Sequence, residues 1–134
     1  MKEILKMIEE VSPNDTTKLG EIDALVWCWL NDKTYSGSRI VTVEDRMFRY
    51  VEHQYEDGYI NAPRHTRSRD ALKAIRPEGW IYDCEWYSKN RFTARFYKLD
   101  SDEIQEESPV LPTEELAELH AIIQAIEFER TRNV

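Results

Sequence analysis

Residues 80–99 constrain the fold of this chain more than any other stretch. Trp80, Tyr82, Cys84 and Trp86 fall on alternate positions, and so do Phe92, Ala94 and Phe96. A period of two belongs to a β-strand, whose successive side chains point to opposite faces. Ser88-Lys89-Asn90 between the two runs supplies turn residues. The stretch predicts an antiparallel hairpin, Trp80–Tyr87 with Arg91–Leu99, and places one face in a core. Trp80, Trp86 and Phe96 are expected to be buried there. The other face is mixed, with Ile81, Asp83, Glu85 and Tyr87 opposite Thr93, Arg95 and Tyr97. Arg95 opposite two carboxylates predicts a cross-strand salt bridge. Acid–base catalysis by Asp83 and Glu85 would require one of them to stay protonated, which a neighbouring guanidinium opposes.

The rest of the chain reads mainly as helix. Ile4, Leu5, Ile8 and Val11 recur at helical spacing over residues 2–11, and Ser12-Pro13-Asn14-Asp15 ends that run. Residues 19–31 predict a second, largely buried helix, with Ile22, Leu25, Val26, Trp29 and Leu30 on one face. Tyr35-Ser36-Gly37-Ser38 reads as a loop, Ile40–Val43 and Arg46–Val51 as short strands, and Glu52–Pro63 as a polar surface segment. A short helix is expected over Thr66–Ile75, with Ser68 as N-cap. Thr113 is a natural N-cap for a last helix running to about Arg130. Its apolar stripe is Leu116, Leu119, Ile122, Ile123 and Ile126. The order α-α-β-β-α-β-β-α predicts an α+β fold, a small antiparallel sheet with helices packed on both faces. Residues 1–134 are expected to form a single domain, with an acidic linker at about 100–111.

Four segments together resemble a known family. They are Gly20-Glu21-Ile22-Asp23-Ala24-Leu25-Val26-Trp27-Cys28-Trp29-Leu30-Asn31, His65-Thr66-Arg67-Ser68-Arg69-Asp70-Ala71, Pro77-Glu78-Gly79-Trp80 and the C-terminal Glu/Ala/Leu helix. Their combination resembles the "ABA sandwich" domain proteins of tailed phages and prophages, over about residues 4–129. Glu44–Gly58 departs from that pattern, and the acidic linker is longer. The resemblance implies a phage origin and a sheet between two helical layers. It carries no catalytic residues to this chain.

Charge and composition narrow the function classes. At 134 residues the chain is long enough to bury about two-thirds of its unfolded surface, and 41% apolar residues argue against wholesale disorder. No apolar run approaches the roughly 20 residues of a membrane span, and the acids within Met1–Glu10 argue against a secretory signal peptide. The net charge is −8, and residues 1–98 hold 16 charges of each sign. The imbalance lies between Leu99 and Glu129, where ten acids occur with no Lys or Arg. Such a segment repels phosphate backbones, so bulk nucleic-acid binding is not expected. A solvated loop and helix face is the plain explanation, and mimicry of nucleic acid toward a basic partner is the sharper one. Cys28 and Cys84 sit in no CxxC pair or Cys/His cluster, so no metal or cofactor is expected. Both are expected to stay reduced in a cytoplasm. His120 reads as a helix-surface residue, and the acids around His53 match no metal-ligand spacing.

One cationic island stands out. Arg64, His65, Arg67, Arg69, Lys73 and Arg76 face only Asp70 in sequence, and they flank a helix start. Guanidinium forks, the Thr66 and Ser68 hydroxyls and free helix N–H groups are what a phosphate needs. The candidate ligand-binding residues are Arg64, His65, Thr66, Arg67 and Ser68, with Tyr55 or Trp80 beside a base. The competing explanation pairs these arginines with the acidic C-terminal segment of this chain or of a neighbouring subunit. The expected function is a non-enzymatic phage accessory protein for counter-defence. It would bind a host defence protein or sequester a phosphate-bearing small molecule or nucleotide signal. An enzyme acting on a phosphorylated small molecule, or a phage structural or assembly protein, are the alternatives. With 11% aromatics and an apolar second helix, a homo-oligomer is expected, most simply a twofold dimer.

Overall fold

A computed structural model of the chain describes residues 1–43, 48–100 and 104–132. The elements are α1 (Lys2–Glu10), α2 (Thr16–Leu30), β1 (Tyr35–Val43), β2 (Phe48–Tyr55), β3 (Gly58–Ile60), α3 (Arg69–Lys73), β4 (Trp80–Ser88), β5 (Arg91–Lys98), β6 (Gln105–Glu107) and α4 (Glu114–Arg132). The class is α+β and the strands are antiparallel, as expected. They divide into two three-stranded sheets, β1-β2-β3 and β4-β5-β6, where a single sheet was expected. The first sheet packs on α2 and the second on α4, while α1 touches both α2 and α4.

That layering accounts for the composition of the two long helices. In α4 the eight consecutive residues Leu116–Ile123 are all buried. Eight residues make more than two turns, so this helix is covered all round rather than along one stripe. His120, expected on the helix surface, is therefore only 5% exposed. Glu118 is buried beside it and held by the Arg76 guanidinium. Arg130 donates to the carbonyls of Trp29 and Leu30 at 3.2 Å each and stacks on Trp29, so it satisfies the open end of α2.

The caps behave as read. Ser68 Oγ accepts from the Ala71 N–H and Thr113 Oγ1 from the Leu116 N–H. Helix α2 starts earlier than expected because Asp15 caps it, accepting from the Lys18 N–H. The β4–β5 register pairs Tyr82 with Phe96, Cys84 with Ala94 and Asp83 with Arg95. Arg95 bonds both Asp83 and Glu85, at 3.0 and 2.7 Å. Asn90 adopts φ +67° in the turn, a conformation that asparagine tolerates.

Four further expectations are corrected. Trp80 and Phe96 are buried, but Trp86 is 71% exposed. It lies at the distal end of the hairpin, where the register slips between Trp86 and Ser88. Tyr35–Ser38 is strand rather than loop, with an irregularity between Tyr35 and Gly37. Part of the presumed surface segment 52–63 is paired, as the end of β2 and as β3. The acidic linker holds β6, and beyond it Leu111 exchanges both backbone hydrogen bonds with Phe92. Gln124 of α4 donates to the Glu107 carbonyl, tying that segment down. The Arg46 end of the second strand candidate lies outside the described residues.

Candidate anion-binding cleft

The N-terminal half of α2 is apolar on its inner side and small or polar on another. Thr16, Gly20, Asp23 and Ala24 recur at helical spacing, so they share one face. That face does not meet β2 and β3 closely. A cleft of about 370 Å³ remains between them, at the lower end of ligand-sized pockets. Gly20, Asp23 and Ala24 contribute from α2, Arg49, Val51 and His53 from β2, and Ile60 from β3. Asn61, Ala62, Arg64 and Arg67 of the following segment complete it.

Three arginines, Arg49, Arg64 and Arg67, thus line one cleft. Arg49 and Arg64 are exposed and make no ion pair among the described residues. Arg67 is one-third exposed and lies 3.6 Å from Asp23 Oδ2. Asp23 is 4% exposed and accepts the Thr66 N–H at 2.8 Å. Burial pushes its carboxyl pKa up, and the contacts from Thr66 and Arg67 oppose that. His53 Nδ1 is bonded to the Tyr35 hydroxyl at 2.8 Å, and Nε2 faces the Gly20 side. Burial lowers the pKa of His53, with Glu21 acting against the shift.

The island read from the sequence is divided by this geometry. Arg64 and Arg67 reach the cleft. Ser68 caps α3, and His65 and Thr66 are each 2% exposed, packed behind the opening. Tyr55 lies on β2 against Trp27, with ring centroids 5.1 Å apart, and does not line the cleft. Trp80 is on the other side of the molecule, against Phe128, and donates from Nε1 to Glu129. The competing explanation holds for Arg69 and Arg76, while Lys73 makes no ion pair among the described residues. Arg69 pairs with Glu114 and approaches Glu115, and Arg76 pairs with Glu118.

Sequence reasoning missed Arg49, His53 and Asp23 as site residues. The small-and-polar stripe within an otherwise apolar helix was the legible signal. Arg49 and His53 carried none, because only the pairing of β2 with its neighbours aims them at α2. Among the described residues no group of three or more His, Cys, Asp or Glu could hold a metal ion, and no helix is long and apolar enough to cross a membrane. Comparison with protein-family models, with curated proteins and with solved structures found no match.

Proposed function

We propose that the protein binds a small phosphate-bearing molecule in this cleft and holds it without converting it. One observation carries the reading: Arg49, Arg64 and Arg67 surround a single ligand-sized cleft in a chain whose net charge is −8. Arg49 and Arg64, without an ion pair among the described residues, steer anions to that place in an acidic protein. Guanidinium forks then bind phosphate oxygens in pairs. Each charge-assisted bond contributes about 1.5–3 kcal/mol, so three arginines can account for a micromolar complex of about 8 kcal/mol. The resemblance to phage ABA-sandwich proteins implies a phage origin, and the role proposed with it is counter-defence, the bound molecule being a nucleotide signal withdrawn from the host. The exposed Ile81, Trp86 and Tyr87 on edge strand β4 support the accompanying proposal of a homodimer, which light scattering at high micromolar concentration checks.

The test is titration calorimetry with a panel of nucleotides, followed by heat release and analysis of what was bound. Recovery of intact ligand is the expected result. Recovery of an altered ligand would make the protein an enzyme, and no binding by any member would remove the small-molecule role. The double variant Arg49→Ala with Arg64→Ala should lower affinity at least a hundredfold while the fold is kept.

A further inference from the structure

We propose that the inner part of the cleft seats a flat heterocyclic ring, which makes the ligand a nucleoside phosphate rather than a free anion or a sugar phosphate. This rests on the reading of the cleft as an anion site and specifies what else the ligand carries. The cleft is polarised by depth. Arg49 and Arg64 are exposed at its mouth, whereas Asp23 and Ala24 are 4% and 1% exposed. A free phosphate gains from the mouth alone and is repelled by the Asp23 carboxylate. A second ligand portion is needed to use the inner surface.

That inner surface has the chemistry of a base seat. Val51 and Ile60 offer apolar contact from the sheet, and Ala24 keeps the helix side low. Asp23 and His53 add polar groups beside these apolar walls, and Thr16, Thr17 and Asn61 line the cleft as well. The Asp23 oxygens already meet the Thr66 N–H and Arg67, but a carboxylate has further lone pairs for a ring N–H or amine. Because Tyr35 engages His53 Nδ1, Nε2 is the atom left for a ligand. Apolar faces with hydrogen-bonding edges describe a nucleobase. Sugar hydroxyls could satisfy Asp23, but they would leave the apolar walls unused.

Gly20 provides the test. A Cβ there would sit 3.6 Å from His53 Nε2, an ordinary contact, so a longer side chain has to turn into the cleft. Leucine is also a better helix former than glycine, and Gly20→Leu should fold. Calorimetry on the full chain would compare pyrophosphate, ribose 5-phosphate and the four nucleoside monophosphates AMP, GMP, CMP and UMP. At least one nucleotide should bind tenfold or more tightly than ribose 5-phosphate. Gly20→Leu should remove that advantage, bringing the nucleotide down to the affinity of ribose 5-phosphate for the same variant, and His53→Ala should reduce the advantage. Equal affinities for nucleotides and ribose 5-phosphate would overturn the ring seat while the anion reading stands. An unchanged nucleotide advantage in both variants would overturn it too, by placing the ring elsewhere. If no probe binds, the anion reading fails and takes this inference with it.

Discussion

The two sheets use their charges in opposite ways. Around β4–β6 and α4 the cations at the helix–sheet contacts and across the hairpin face are matched: Arg76 with Glu118, Arg69 with Glu114, Arg95 with Asp83 and Glu85, Lys98 with Glu129. Arg91 and Arg132, at the ends of β5 and α4, make no ion pair among the described residues. Among the described residues of β1–β3, Arg39 pairs with Glu52 away from the cleft, and at the cleft Arg67 lies 3.6 Å from Asp23. Arg49 and Arg64 stay unmatched among the described residues. One side uses charge to fix the packing of α4; the other leaves charge available for a partner from solution. An arginine in a cationic stretch is thus informative only once its own carboxylate has been sought.

Mutations can break or sharpen this contrast. The largest effect is expected at Phe96, fully buried against α4, where alanine should cost about 3–5 kcal/mol in urea unfolding. On the same hairpin, Trp86→Ala should cost under about 0.5 kcal/mol because the ring is already in water. Similar losses at both would mean that the hairpin tip is packed after all. Next comes Glu118→Ala. It strips a partner from Arg76 inside the protein, at about 3 kcal/mol, the low end for buried pairs because Arg76 keeps 30% of its side chain exposed. Arg64→Ala, by contrast, should leave the midpoint within about 0.5 kcal/mol. If Arg64→Ala were as damaging as Glu118→Ala, the two sides would not differ in the way described.

The smallest effect is a pH dependence. Burial lowers the pKa of His53, His65 and His120, opposed at His53 by Glu21 and at His120 by Glu9. Near the ordinary histidine pKa of about 6.5 the unfolded chain therefore binds more protons than the folded one. Stability is full above that value and declines as pH falls through it. Glu129 behaves the other way in origin but lower in range. Its hydrogen bonds from Lys98 and Trp80 hold its pKa down, so its contribution is lost only below about 4.5. Urea midpoints should fall between about pH 7.5 and 5.5, and His120→Gln should flatten that slope. A midpoint that rises over the interval would show the histidine effect to be outweighed, as by Asp23 and Glu106, whose carboxyl pKa burial raises so that the fold takes up protons there.

What was legible in the sequence was local. The pairing of Asp83 with Arg95, the caps at Ser68 and Thr113 and the apolar periodicity of α1 all depend on neighbours in the chain. Strands β3 and β6 were invisible because each has three residues, too few to show a period. Gln105-Glu106-Glu107 also reads as a solvated linker, yet its backbone pairs along β5 regardless of side-chain charge. The burial of His120 and Glu118 depends on α4 being enclosed from several directions, which no stripe on a helical wheel encodes. The cleft was half legible. Arg64 and Arg67 are neighbours in sequence, but Arg49 and His53 reach them only through the folding of β2 over α2.

The enclosure of α4 also bears on the order in which the molecule can be made. Ribosomes deliver this helix after every other described element, yet α1, α3, β5 and β6 all close on it. Until residues 114–132 emerge, the parts of those elements that turn toward α4 stay wet. Sequence-distant closure of this sort slows folding and leaves nascent surfaces open to wrong contacts. The β1–β2 hairpin is formed from adjacent residues and can pair while the rest waits. Folding during synthesis should therefore begin at the cleft and end at the core.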